Sequence, residues 1–548
     1  MASRVATLPL RSEKVGRPRL DPYSRLMSRF YEPLLLVKVL AQTRKQHSRG
    51  SPPVIEEQRQ TRELQTLLCY VCDFKPGGES CTAIGLQNDE HSYNYCVASN
   101  SSVEKIALFL ESVLAILGDV SRDATQPSVE REDQLLRHCL QHALPRVKNH
   151  LVCLSRAVKS CTKILLQQGK DRDKNEQFAL WLEGLISSKD TEDCFQACHR
   201  IFDAARSPFM KRLKREKAAE DRAMSPSAQD KPFAIVHHHI GRLANRVLAN
   251  RRLMNHASKL ERLFENFQVH RIPKVVSVPK PVPDAKTSLD GLLNRMLRAD
   301  DPERPLIRDE LIRLNQLGEV NDQNGIFTQF MTTMSNCKPT VHAEIQVLEY
   351  FDARKISFVG NDKYVACSKP ACIACRLYFE YHPARMVIPP SHEKVWSNWS
   401  PPALGRSSKQ KNVFESQRNI LNKMIQALRD MAISQILNSS RPVAWHPDSL
   451  TAMSSVQAAF ESSDEYVEEY GSQQGDGSCA SGISGTMWSS PHGPGPTPNQ
   501  KLYTWQDSEV GQFDDEIGGI GGIGGIVSQY SSEEDDDSDG GVPLHSSS

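Results

Sequence analysis

Two short segments gather the residue types that hold zinc and move protons. One is Val341-His342-Ala343-Glu344; the other, further along, is Ala371-Cys372-Ile373-Ala374-Cys375. Zinc takes imidazole nitrogen and thiolate sulfur in a tetrahedron, and a catalytic site keeps one of the four positions for water. His342, Cys372 and Cys375 supply three such ligands for Zn2+. The C-x-x-C spacing at a helix start brings both sulfurs to one side of the first turn, where free amides and the helix dipole favour thiolates. Glu344, two residues after the histidine, can face an activated water without ligating and carry its protons. The chemistry within reach is hydrolysis. The competing arrangement is a closed structural site, with Cys367 or Cys337 as fourth ligand, in a non-catalytic zinc-stabilised interaction module. Glu344 weighs against it, because a structural site has no use for that carboxylate.

These residues need elements to position them. Ile345, Leu348 and Phe351 follow His342 at helical spacing and would anchor its helix in a core. "KISFVGNDKYVACS" offers two short strands around Asn361-Asp362, and "RMVIPP" (385–390) a further one. Helices are expected at 288–298, 305–317 and 413–437. That alternation predicts an α/β layered domain over 287–440.

Upstream, residues 61–270 read as a mainly helical region. Ile106, Phe109, Leu110, Val113, Leu114 and Leu117 recur at three and four within 102–120, behind a Ser101 or Ser102 cap. Similar periodicity runs through 132–167, 176–187 and 191–205, followed by a charged helix at 209–223 and a basic one at 237–267. Gly, Pro and Asn punctuate 69–98, which reads as one short hairpin or loop. "RIPKVVSVPKPVPDAK" (271–286) is proline-rich, extended and stiff, and marks a boundary. Residues 1–60 form a basic, mostly disordered arm around one apolar helix at 30–42. From 441 the Ser/Gly/acid-rich composition predicts a disordered tail.

The words "HAE" at 342–344 and "PACIAC" at 370–375 resemble the H-A-E … P-C-x-x-C signature of cytidine deaminase-like zinc hydrolases. The surrounding "KYVACSKPACIACRLYFEYH" and "SHEKVWSNW" are similar to a nucleic acid or nucleotide deaminase family widespread in fungi, over roughly residues 330–400. The resemblance implies a mixed sheet with helices on both faces and both motif segments at helix starts. It also implies zinc on His342, Cys372 and Cys375, with Glu344 moving protons while water attacks cytosine or adenine and ammonia leaves. The substrate would be a nucleic acid or a nucleotide. One residue departs from the pattern: Ala371 stands between Pro370 and the first cysteine.

Composition sets the remaining expectations. The net charge of +1 conceals an asymmetry: from residue 441 onward 18 Asp and Glu face only Arg441 and Lys501, so that tail is −16 and the preceding chain +17. A basic body suits a polyanion, and an acidic tail could cover it; basic helices and an acidic tail can equally each be solvated. No apolar run is long enough to span a bilayer, so no membrane partner is expected. Protein partners could use the helical region. The first residues lack a secretory core and read as a disordered arm rather than a transit peptide. Fourteen cysteines without a signal peptide imply reduced thiols and an intracellular place, cytoplasmic or nuclear.

Cys69 and Cys72, with Cys81 and Cys96, admit a second zinc site, but apolar packing is the preferred reading. His237–His239 could ligate a metal, but adjacent histidines on one helix point in different directions, which disfavours a joint site. His382 and His392 could line a pocket, although surface or loop positions are more usual. Tyr378, Phe379, Tyr381, Trp396 and Trp399 could stack on a base, with core packing favoured for Phe379.

Overall fold

Seven residues from Thr82 to Asn88 (β1) turn back as Tyr93–Ser99 (β2), and this antiparallel hairpin is the centre of the sheet. The computed structural model describes residues 21–438, except 41–47, 49, 90, 123–128, 168–171, 190–192, 223–230, 321–324 and 405–409. Residues 1–20 of the expected N-terminal arm (1–60) and the acidic tail from 441 lie outside the described residues, whereas Pro22–Leu40 and the residues from Glu56 are helical rather than disordered. Two short strands complete the sheet: Phe267–Arg271 (β3) runs parallel to β2, and Val365–Cys367 (β4) pairs antiparallel with β1. The order is β3-β2-β1-β4.

Side chains alternate across a strand, and here both faces are covered. Ile84, Leu86, Tyr95 and Val97 enter one hydrophobic core, while Ala83, Cys96, Ala98 and Val365 enter another. The expected mixed α/β architecture, with helices on both sheet faces and a mainly helical N-terminal region, is present.

The first core is built by α2 (Glu56–Cys72) and by the run α3 (Val103–Arg122), α4 (Val129–His142), α5 (Leu144–Gln167), α6 (Arg172–Gly184), α7 (Cys194–Ala204), α8 (Phe209–Arg222), α9 (Pro232–Lys259) and α10 (Arg262–Glu265). Periodic apolar residues located most of these helices. α8 is solvated as its charge implies, with only Leu213 buried. The basic α9 is the reverse: every residue from His237 to Asn250 is buried, because α2, α3, α4, α5, α7 and α8 surround it. Its cations are accommodated by specific partners, such as the Tyr70 ring 4.6 Å beneath the Arg246 guanidinium.

The second core joins α1 (Pro22–Leu40) to α11 (Leu289–Met296), α12 (Arg304–Val320), α13 (Ile326–Asn336), α14 (Ala343–Arg354), α15 (Ile373–Tyr381) and α16 (Gln410–Leu437). The expected apolar island is therefore core as far as Leu40, packed along α16. The stretch 271–286 is extended, yet Ile272 and Val278 are buried in this core, and strands of the one sheet come from both sides of it.

Two strand expectations fail. "RMVIPP" forms no strand, since Pro389 and Pro390 have no N–H to donate; its carbonyls instead accept from Ser51 N (2.9 Å, at Ile388) and Ala371 N (2.8 Å, at Pro390). Of the pair around Asn361, only β4 forms. Phe358 makes a single bridge to Gln87, and a 3-10 turn at Val359–Asn361 follows. Among the described residues no helix is long and apolar enough to cross a membrane.

Candidate metal centre

α14 begins at His342, whose extended backbone (φ −66°, ψ 151°) makes it the N-cap. The helix start is fixed from the sheet. Ala343 N–H donates to Asn100 Oδ1 (2.9 Å), Asn100 Nδ2 donates to Gly78 O (2.8 Å), and Gln346 Nε2 donates to Ser99 O (3.2 Å). Below, α14 lies so close to β1 that a Cβ at Gly85 would come within 2.7 Å of the Phe351 ring.

α15 starts in the same way, with Cys372 as N-cap and its Sγ accepting from Cys375 N at 3.5 Å. The additional residue Ala371 is held by backbone pairing: its N–H reaches Pro390 O (2.8 Å) and its carbonyl accepts from His392 N (3.1 Å). The departure from the P-C pattern is thus absorbed in a short strand-like bridge to Ser391.

These starts bring the three predicted ligands together. His342 Nδ1 lies 3.4 Å from Cys375 Sγ and 3.8 Å from Cys372 Sγ, and all three ligand atoms fall within 4.8 Å of one another. Ligand-to-ligand edges of a tetrahedral zinc site, from Zn–S ≈ 2.3 Å and Zn–N ≈ 2.0–2.1 Å, are about 3.5–3.8 Å. Donor types and spacing therefore fit zinc. Burial works to raise the Cys372 thiol, but the hydrogen bond with Cys375 and the His342 imidazole outweigh it and hold the group down at about 6. Cys375, buried and facing that thiolate, is pushed well up. The pair releases its first proton easily, as a metal-binding pair should.

Glu344 is buried beside them, its Oε2 3.9 Å from Cys367 Sγ. Neither proposed fourth thiol joins the cluster. Cys337 Sγ donates to Ser397 O (3.1 Å), and Cys367 Sγ lies 3.5 Å from Cys81 Sγ. Among the described residues, His342, Cys372 and Cys375 are the group placed to hold a metal ion.

The other sequence candidates lie elsewhere. Cys69 and Cys72 are packed in the first core, where burial drives both thiols far up, in keeping with apolar packing. The His238 and His239 rings stand 75° apart, and His239 Nδ1 meets His150 Nδ1 at 3.1 Å. His382 and His392 are buried rather than superficial, each Nδ1 accepting a backbone N–H two residues on, from Ala384 (3.2 Å) and Lys394 (3.0 Å), and His382 does line a cavity, with Glu349 and Tyr378.

Of the aromatic candidates, Tyr378, Phe379 and Trp399 are core residues, and Tyr378 OH donates to Glu349 (2.6 Å). Trp399 has a role that sequence reading missed: its Nε1–H donates to Cys375 Sγ at 3.1 Å. Tyr31 OH holds the Trp399 carbonyl (3.2 Å), and Phe30 packs on the indole. No local spacing signals this contact, although the tryptophan stands in the same "SHEKVWSNW" stretch that carried the resemblance.

No curated protein and no solved structure matches the chain. Residues 341–403, from the start of the histidine segment through Trp399, match the family model described as OTT_1508-like deaminase, so this segment carries the pattern of a deaminase family.

Proposed function

We propose that the protein is a zinc-dependent hydrolytic deaminase acting on a cytosine or adenine base, in nucleic acid or a nucleotide. The deaminase match at 341–403 supports the reaction class, and the His342, Cys372 and Cys375 cluster supports the metal. The observation that carries the reading is Glu344: a carboxylate only 4% exposed, in the first turn of α14, beside three ligands whose fourth partner neither Cys337 nor Cys367 supplies. A zinc-stabilised scaffold would need that fourth ligand.

Zinc held by these residues would supply Lewis acidity that activates water at neutral pH. Glu344 takes a proton from the attacking water and hands it to the ring nitrogen of the amidine. The oxygen adds to the ring carbon, and Glu344 then carries the second proton to the exocyclic amine, which departs as ammonia and leaves a carbonyl. The Trp399 N–H on Cys375 and the Cys375 amide on Cys372 orient the thiolates during this sequence. The +17 charge of residues 1–440 supports a polyanionic substrate.

The test is ammonia release by the zinc-loaded protein from cytosine and adenine presented as nucleoside, nucleotide, single-stranded RNA and single-stranded DNA. Glu344→Gln should retain one zinc and lose activity by roughly 10²–10⁴-fold. Equal turnover in the variant, or a wild-type chain that binds no zinc, would sink the reading.

A further inference from the structure

A cavity lies against the cysteine helix, α15. Its volume is about 370 Å3, and α1, α15, α16 and the 393–396 segment wall it. That size lies in the range of small-molecule sites. None of His342, Glu344, Cys372 or Cys375 lines it, so it is separate from the metal centre.

The walls define the ligand chemistry. Ile373, Leu377, Val395 and Met431 give an apolar body, and Trp396 and Tyr381, each half-buried, add aromatic surfaces. Gln435 also lines the cavity; its side chain is buried, and its Oε1 has no hydrogen-bond partner. Such an acceptor is costly to leave unmatched, so a ligand bearing an N–H has an advantage here. Charge adds a constraint. Lys38, Arg376 and Lys394 line the cavity together with Glu380, Glu393 and Asp430, an even balance, and Lys38 Nζ stands over one face of the Trp396 ring, 5.0 Å from its centroid. Arg376 is engaged by both Glu380 and Glu393 at 2.8 Å, and Asp430 accepts from Gln426. A lining neutral overall does not select a multiply charged guest. A flat ring, an N–H donor, modest size and no net charge together describe a nucleobase on its sugar.

We propose that this cavity is a nucleoside-binding site distinct from the metal centre, with the base against Trp396 and Tyr381 and an N–H on Gln435 Oε1. The site needs no turnover, so it stands or falls independently of deamination. The experiment titrates full-length protein with adenosine, guanosine, cytidine and uridine, followed by calorimetry. Glu344→Gln serves as the background, so that no nucleoside is consumed. At least one nucleoside should bind saturably, and Gln435→Leu and Trp396→Leu, checked for native melting, should each weaken it by tenfold or more. If Gln435→Leu fails to fold, the half-buried Trp396→Leu carries the comparison. No saturable binding by about 1 mM, or binding indifferent to these substitutions, overturns the proposal.

Discussion

Cys375 meets two groups at once: His342 Nδ1 at 3.4 Å and the Trp399 N–H at 3.1 Å. A hydrogen bond to a ligating thiolate fixes its direction and tunes its basicity, and loss of such a partner commonly costs 10–100-fold in metal affinity. Trp399→Phe keeps an aromatic ring in the core and removes the donor. Zinc affinity, measured by competition with a chromophoric chelator, should fall roughly tenfold or more while the fold persists; unchanged affinity would show that the N–H does not act on the metal. That His342, Cys372 and Cys375 come together, with Glu344 buried nearby, was legible in the sequence because each pair sits within one helical turn, where spacing fixes direction. Trp399 was not. It reached the sulfur through the packing of Phe30 and Tyr31 from α1, so a residue that read as a base-stacking candidate is a buried support.

At the level of elements, the contact between β1 and α14 sets where the histidine stands. Gly85 is what allows it: an added Cβ would meet the Phe351 ring at 2.7–2.8 Å and Val347 Cγ1 at 2.8 Å. Gly85→Ala should therefore lift α14 and cost about 1–3 kcal/mol of stability, read from urea unfolding. No loss would mean that helix and strand part without penalty. A second tie is the bidentate pair of Arg62 on α2 with Asp362 in the turn before β4, at 2.7 and 2.8 Å and nearly buried. Removing one partner strands a buried charge, so Asp362→Ala should destabilise by about 3 kcal/mol, and a double-mutant cycle with Arg62→Ala should recover part of that loss. An additive cycle would refute the coupling. Helices were readable because their periodicity is local. The strands were harder: β4 has three residues, and its partner β1 is far away in sequence, so its pairing left no local trace.

Across the whole molecule, one sheet separates two cores, and each core depends on the other's chain segments. The sequence offered a boundary at 271–286 because prolines there exclude regular structure. Composition cannot reveal that Ile272 and Val278 anchor the stretch in the second core. The first core also carries a pH liability. Burial draws His142 down to about 4, against the raising effect of its bond to the Cys72 carbonyl, and burial with Lys217 and Lys214 draws His237 down to about 3. Both folded values lie below the ordinary 6.5, so the unfolded chain binds more protons in between. Their contribution is complete above 6.5 and is lost as pH falls toward those values, by up to about 1.4 kcal/mol per pH unit for each group. Urea midpoints should drop from neutral pH to about pH 5, and less steeply in a His142→Gln, His237→Gln double variant; parallel slopes would exclude these histidines. The shared sheet leads to the sharpest expectation. A fragment of residues 287–440 keeps every metal ligand and Glu344 but loses β1, β2, α1, the Asn100 acceptor for Ala343 N–H and the Arg62 partner of Asp362. Only the three residues of β4 would remain of the sheet, below the three strands that an independent sheet needs. The fragment should show no cooperative unfolding and no near-ultraviolet circular dichroism, whereas residues 21–438 should show both. A cooperative, zinc-binding 287–440 fragment would mean that the second core folds without the hairpin and that the site does not depend on the sheet beneath it.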